Sequence, residues 1–206
     1  MIKISHKKDC CGCGACVQRC PKHCIAMQED KEGFLYPVIN KTKCTNCGLC
    51  EKVCPVINQG HCNNPIKTYA AINPKNDVRI ASSSGGVFTV LAEDIINSNG
   101  VVFGAAFNNE WNVEHTCVEN IKDLEKLRGS KYVQSNIGNS YQEAESFLKE
   151  GREVLFSGTP CQIAALKLFL RKEYKNLTTV DFVCHGVPSP AVWRKYLHET
   201  IKKSLN

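Results

Sequence analysis

Residues 10–21 read CCGCGACVQRCP and residues 44–55 read CTNCGLCEKVCP. Each holds four cysteines as C-x2-C-x2-C-x3-C with a proline directly behind: Cys10, Cys13, Cys16 and Cys20 before Pro21, then Cys44, Cys47, Cys50 and Cys54 before Pro55. This is the cysteine spacing of a bacterial two-cluster ferredoxin, written twice. A thiolate at every third residue of a tight turn lets three sulfurs reach three irons of one cube. The fourth, on the short helix behind the turn, is aimed at the other cube. The spacing therefore assigns Cys10, Cys13, Cys16 and Cys54 to one 4Fe-4S cluster, and Cys44, Cys47, Cys50 and Cys20 to a second. Zinc sites also use C-x2-C pairs, but four thiols per run closed by Cys-Pro is not a zinc-ribbon spacing. A disulfide framework needs an oxidising compartment, to which nothing in the sequence points.

Between the two runs, Ile25-Ala26-Met27 and Phe34-Leu35-Tyr36-Pro37-Val38-Ile39 flank EDKEG, with Gly33 in the turn. That predicts a short β-hairpin joining the cluster loops, its apolar residues packed on the cubes to exclude water. Residues 1–58 thus read as an α+β, ferredoxin-like two-cluster module. Residues 59–66, QGHCNNPI, are polar and turn-rich and mark a boundary.

The whole chain has 206 residues, room for one or two domains, and hydrophobic residues make up 43% of it. Six of its 14 cysteines fall outside the ligand pattern: Cys11, Cys24, Cys62, Cys117, Cys161 and Cys184. The opening MIKISHKKD has no apolar signal-peptide core, and no apolar run is long enough to span a membrane. With so many thiols, a reducing cytoplasm is expected. The net charge of +6 suits an acidic partner or anionic ligand, and equally suits ordinary surface lysines. No basic stripe interleaved with aromatics points to nucleic acid.

From Lys67 to the end, strands and helices alternate, which predicts an α/β domain with a largely parallel sheet over 67–206. Residues 68–72 (TYAAI) read as a strand. Ser82-Ser83-Ser84-Gly85-Gly86 opens a helix to about Ser98, with Val87, Val90, Leu91, Ile95 and Ile96 at helical spacing, and Asn99-Gly100 ends it. Residues 101–107 and 113–118 form paired strands, 121–128 a short helix, and Lys131 to Gln134 a strand or extended loop. Ser140 and Glu143 spell a capping box for a helix that stops at Gly151. Val154-Leu155-Phe156 is a buried strand. Thr159 and Gln162 form a second box with Pro160 at the first helical position, and Ile163, Leu166 and Leu170 line that helix. Residues 180–183 are a strand, and Ser189-Pro190 cap a last helix bearing Trp193, Tyr196, Leu197 and Ile201.

In such sheets ligands bind at the carboxyl ends of the strands. Ser82 to Gly86 is either a phosphate cradle at a helix N-terminus or a plain glycine-rich cap. Cys161, in the first turn of its helix, is a reactive thiol, an extra cluster ligand or a small packing residue. His185, in CHGVPS, either donates a proton or hydrogen bond or is satisfied by backbone. Cys161 and Cys184 both follow strands and are expected near each other. Lys131 can offer charge to phosphate and Tyr132 can stack on a ring. Cys11, Cys24, Cys62 and Cys117 fit no pattern and read as structural.

Five blocks in this order, CCGCGACVQRCP, ASSSGGVFTVLAE, RGSKYVQSNIG, LFSGTPCQIAALK and VCHGVPSP, resemble the family of coenzyme F-420 hydrogenase/dehydrogenase beta subunits over nearly the whole chain. The resemblance implies an iron–sulfur flavoprotein oxidoreductase carrying FAD. Such a protein passes electrons between a hydride-carrying cofactor, coenzyme F-420 or a nicotinamide, and one-electron carriers. It places the flavin contacts among Ser83, Ser84, Gly85, Gly86, Lys131, Tyr132, Ser157, Gly158, Thr159 and His185. Candidates for a catalytic role are His185, Lys131 and Cys161. The family continues beyond VCHGVPSP into a further domain, so a protein redox partner or a missing C-terminal part is expected. The alternative is an electron-transfer or docking module with no hydride chemistry of its own, or a fragment without activity.

Overall fold

The computed structural model describes residues 2–4, 6–60 and 67–204, so most of the expected boundary, including Cys62, lies outside the described residues. The first module is built on two near-identical turns. Helix α1 (Ala15–Gln18) follows Gly14 and helix α2 (Leu49–Lys52) follows Gly48, each glycine left-handed, with φ of 72° and 75°. Cys16 and Cys50 sit on these helices. Cys20 and Cys54 lie just past the helix ends rather than on them, because one turn of helix is spent before the chain must swing back. Between the runs, β1 (Ile25–Glu29) pairs antiparallel with β2 (Leu35–Ile39), from Ile25 opposite Ile39 to Glu29 opposite Leu35. The Asp30 carboxylate closes that hairpin by accepting the N–H groups of Glu32 and Phe34, both at 3.0 Å.

The second part is a mixed sheet with helices on both faces. In chain order come α3 (Asn76–Ile80), α4 (Val87–Asn97), β3 (Val101–Phe107), β4 (Val113–Val118), a 3-10 turn at Asp123–Leu127, α5 (Ser140–Lys149), β5 (Val154–Gly158), α6 (Pro160–Leu170), β6 (Leu177–Asp181) and α7 (Pro190–Ser204). The strand order is β4-β3-β5-β6, with β3, β5 and β6 parallel and β4 an antiparallel edge. Alternate residues of the central strands face opposite ways, and both sides are buried. Val101, Phe103, Val154 and Phe156 meet Tyr141, Ala144 and Leu148 of α5 and Ile163, Leu166 and Phe169 of α6. Val102, Ala106 and Leu155 meet Ala92 and Ile95 of α4 with Leu124 and Leu127 of the 3-10 turn. Ala15 and Val53 of the first module join the former cluster, so the two parts share one core.

Several elements depart from the sequence reading. Residues 68–72 form no strand: Tyr69 and Ile72 are exposed, and the chain instead latches onto the next turn, Asn73 N–H donating to the Gly85 carbonyl at 2.7 Å. Helix α3 has no apolar period to announce it. Helix α4 meets the sheet through Thr89, Ala92 and Ile95, small enough for close approach, while Val87, Val90 and Leu91 turn outward. The helix expected at 121–128 is a 3-10 turn. Strand β6 lies earlier than 180–183, because its partner β5 ends at Gly158 opposite Asp181, which leaves Phe182 and Val183 exposed. The capping box at Ser140 does not form: Ser140 is already inside α5, and its hydroxyl donates to the His115 carbonyl.

Candidate functional site

Two hollows lie in the first module. One, about 320 Å³ counted out to open solvent, is lined by Cys10, Cys13, Cys16 and Cys54, with Cys11 beside them and Ile4, Met27 and Val56 as apolar walls. The other, about 360 Å³ on the same measure, is lined by Cys20, Cys44, Cys47 and Cys50, with Cys24 beside them. Each hollow therefore takes three thiols from one run and the fourth from the other. Among the described residues no three Cys, His, Asp or Glu side chains converge as a single ion requires. Soft thiols ringing an apolar space suit an iron–sulfur cube, which is larger than one ion and needs sulfur donors. Burial, then the neighbouring thiols of Cys10, Cys54 and Cys50, push Cys16 up to about 12, so it is protonated unless a cation compensates.

Each hollow has an extra thiol that spacing did not reveal. Cys24 Sγ lies 3.3 Å from Cys20 Sγ and is pushed up to about 11, chiefly by that contact. Cys11 bonds to Cys13 and also to Cys161 of the α/β part, and is pushed up to about 12, chiefly by the Cys13 contact. The Cys11 contact and burial push Cys161 above the ordinary thiol range, against the pull of the helix N-terminus. Cys161 is joined to Cys11 rather than to Cys184, which is exposed on the loop after β6. Cys117 packs, half-buried, against the core, in keeping with a structural role.

The first hollow abuts the carboxyl ends of the parallel strands. There residues 129–135 run as a strap. Ser130 N–H donates to Ser83 Oγ at 2.8 Å, which ties the strap to the 82–86 turn. Gln134 N–H donates to the Pro188 carbonyl at 3.2 Å, which ties it to the loop of His185. Ser135 sits in a chain of bonds with His115 and Gln162. The Ser157 carbonyl can only accept, so His115 Nε2, 3.0 Å away, carries the ring proton. Nδ1 then accepts the Ser135 hydroxyl at 2.9 Å, and that hydroxyl accepts Gln162 Nε2 at 2.9 Å. Burial holds His115 down at about 4, hence neutral. Gln162 Oε1 also accepts the Thr159 N–H at 2.9 Å, as the capping box requires.

The strap and turns make an open shelf rather than a closed cradle. A Cβ on Gly85 would meet the Ala71 carbonyl at 2.9 Å, and one on Gly158 would meet Gln162 Oε1 at 3.0 Å, so neighbouring chain already fills that room. Gly129 by contrast has only Ser83 Oγ, at 3.9 Å, within reach. Ser83, Ser84 and Tyr132 are exposed there, Tyr132 at 77%. Lys131 Nζ donates to the Lys126 and Arg128 carbonyls at 2.9 and 2.7 Å, and burial lowers its pKa to about 8. His185 is exposed on its loop. The signal for His115, Ser135 and Gln162 as one network was absent from the sequence, because 20 to 42 residues separate the partners.

Comparison with known proteins agrees with this geometry. Residues 9–58 match a 4Fe-4S dicluster domain, and residues 151–205 match the C terminus of the coenzyme F420 hydrogenase/dehydrogenase beta subunit. A curated relative, the F subunit of the F(420)H(2) dehydrogenase of Methanosarcina mazei, is 25% identical over 173 residues, 77% of this chain and 48% of the relative. The chain thus spans about half the length of the curated relative it matches. These findings make the chain similar to an iron–sulfur oxidoreductase subunit. More closely, the chain is similar to the coenzyme F420 hydrogenase/dehydrogenase beta subunits over its C-terminal quarter and to 4Fe-4S dicluster domains on its N-terminal side. Among the described residues no helix is long and apolar enough to cross a membrane.

Proposed function

We propose that this protein passes electrons between a hydride carrier, coenzyme F420 or a nicotinamide, and one-electron carriers, using FAD and two 4Fe-4S clusters. Cys10, Cys13, Cys16 and Cys54 hold one cluster, and Cys44, Cys47, Cys50 and Cys20 the other. The observation that carries the reading is the exchange of the fourth thiol between two hollows, one of which abuts the shelf at the strand ends. A relative named as part of an F420H2 dehydrogenase supports the choice of hydride carrier. FAD, when bound, supplies the exchange between paired and single electrons.

The chain's own residues then have separate tasks. Ser83, Ser84 and Tyr132 offer hydroxyls and an aromatic face on the open side of the shelf, with Gly85, Gly86, Ser157, Gly158 and Thr159 shaping the turns behind them. Lys131, at about 8, holds a proton that it can release near neutral pH. His185 stands on the loop tied to the strap through Pro188. Cys161 acts as a neutral contact between shelf and first hollow. A reducing compartment such as the cytoplasm suits so many free thiols.

The second reading is an electron-transfer module without hydride chemistry. It is favoured by the occupied room at Gly85 and Gly158. Anaerobic purification followed by iron, sulfide and flavin counting separates the two. Eight irons with one FAD supports the proposal, and eight irons without flavin supports the second reading. Twelve irons would bring Cys161 and Cys184 into the ligand set, and zinc or no metal in the thiol hollows would overturn both.

A further inference from the structure

The main sheet has two edges, and the chain treats them differently. The β4 edge is covered by Asn136, just past the strap: His115 N–H donates to the Asn136 carbonyl at 2.8 Å, and Asn136 N–H to the Val113 carbonyl at 2.9 Å. Strand β6 ends the sheet on the other side, and among the described residues nothing pairs with its outer edge. The parallel register fixes which groups are left over there. Val154 N–H donates to the Asn176 carbonyl at 2.9 Å, so Asn176, Thr178 and Val180 turn their backbone groups toward β5, and Leu177, Thr179 and Asp181 turn theirs outward. Leu177 N–H is taken by the Tyr174 carbonyl at 3.3 Å. The N–H groups of Thr179 and Asp181, and the outward carbonyls, meet no partner among the described residues.

A row of unpaired donors and acceptors is a template for another strand, and edges that stay free are blunted by lysine or proline. Residues 177–183, LTTVDFV, hold neither, and the row runs on into Phe182 and Val183, 55% and 83% exposed. The edge is also complementary to itself. A two-fold axis through it pairs two copies antiparallel. With Thr179 on the axis, each Thr179 exchanges both backbone bonds with its copy, and each Asp181 N–H reaches the other copy's Leu177 carbonyl. Lys175 and Asp181, both exposed, flank the strand at opposite ends, so each copy's lysine comes diagonally beside the other's aspartate. On the face where Val180 packs toward α4, Thr178, Val180 and Phe182 of the two copies line up as one strip.

We infer that the outer edge of β6 is a self-association surface, on which a second copy of this chain lays its own β6 antiparallel and joins the two four-stranded sheets into one. The inference stands apart from the electron-transfer reading, since it uses neither the thiol hollows nor the shelf.

The test is sedimentation equilibrium of the anaerobically prepared, iron-replete chain, with reductant present so that the exposed Cys47 and Cys184 cannot cross-link copies. Wild type is expected to rise from 22.9 kDa to twice that mass over a range of about 1–200 µM. Thr179→Pro removes an outward N–H, leaves the ladder to β5 intact, and should weaken the dimer about tenfold or more. Asp181→Lys should weaken it by setting like charges together, and Lys175→Asp/Asp181→Lys, which exchanges the charged ends, should restore it to within about threefold of wild type. The charge variants keep the test open should Thr179→Pro fail to fold, which a urea midpoint on the same samples reports. A wild type that stays monomeric throughout would overturn the inference and leave the edge to a strand of another polypeptide. A dimer indifferent to Thr179→Pro, or a double variant no tighter than Asp181→Lys alone, would overturn it as well. Iron content read on the same samples is untouched by any of these outcomes, so the proposed function stands or falls separately.

Discussion

At the scale of single residues, His115 sets a pH limit on stability. Its imidazole is neutral in the folded protein at about 4, against 6.5 when exposed. Folding therefore excludes a proton that the unfolded chain takes up, so stability is full above pH 6.5 and falls as the pH drops toward 4. The loss at pH 5.5 should be about 1.4 kcal/mol, rising to about 3 kcal/mol near pH 4. Anaerobic urea midpoints at pH 7.5 and 5.5 measure it, and His115→Gln should flatten the difference. A wild-type slope no steeper than that of the variant would show that His115 is not the group responsible. Cys161 yields a second expectation. It lines neither hollow and contacts Cys11 instead, so Cys161→Ala should keep its iron while Cys54→Ala loses cluster iron. Iron assay of both proteins decides this. The eight thiols of the two runs were legible in sequence because local spacing places them. Cys11 and Cys24 were not, because their neighbours, Cys161 and the Cys20–Cys44 side of the second hollow, are set by tertiary packing.

At the scale of elements, the contrast between the two expected capping boxes is instructive. Thr159 and Gln162 form theirs, with Pro160 in place, because strand β5 delivers the chain extended into the helix. Gln162→Ala removes acceptors and donors for both Thr159 and Ser135 and should cost about 2 kcal/mol in urea unfolding. The Ser140 box is absent because another residue already serves that helix end. Gly33 illustrates the same dependence on distant parts. It sits at φ 88°, and a Cβ there would meet Ala191 Cβ at 2.2 Å and Ala191 N at 2.7 Å, so the hairpin turn is the seat of α7. The Arg194–Glu29 ion pair and the Trp193 indole, bonded to the Trp111 carbonyl at 2.6 Å, hold α7 beyond that seat. Gly33→Ala should lift the first turn of α7 and open the 182–189 loop to protease. Gly151→Ala, at φ 82° with nothing within 4 Å, should cost only the backbone strain of about 1 kcal/mol. Equal protease resistance in the two variants would deny Gly33 that role.

At the scale of the whole molecule, the first module completes the second. Gln18, at the end of α1, uses its side-chain oxygen to accept the N–H groups of Tyr141 and Gln142 at 3.1 and 3.2 Å. Its carbonyl accepts Gln142 Nε2 at 2.7 Å. It is thus the cap of α5, supplied from more than a hundred residues away, and it replaces the local box that Ser140 and Glu143 spelled. Arg19 strengthens the join, paired with Glu145 and lying over the Phe169 ring at 5.0 Å. Gln18→Ala leaves the buried Tyr141 N–H unpaired, the Gln142 N–H keeping the Asn139 carbonyl, and should cost about 1–3 kcal/mol, with α5 the first element to lose hydrogen-exchange protection. Protection of α5 equal to wild type would refute the assignment. The fold class and the alternation of strands and helices were readable from periodicity, since buried parallel strands appear as short apolar runs such as Val154-Leu155-Phe156. The end of β6 and the latch at residues 71–73 were not, because each is fixed by where a neighbouring strand or turn stops.

The distant cap has a further consequence. Gln18 stands two residues from both Cys16 and Cys20, so whatever loosens that thiol loop also loosens the start of α5, and the two parts of the chain yield as one cooperative unit.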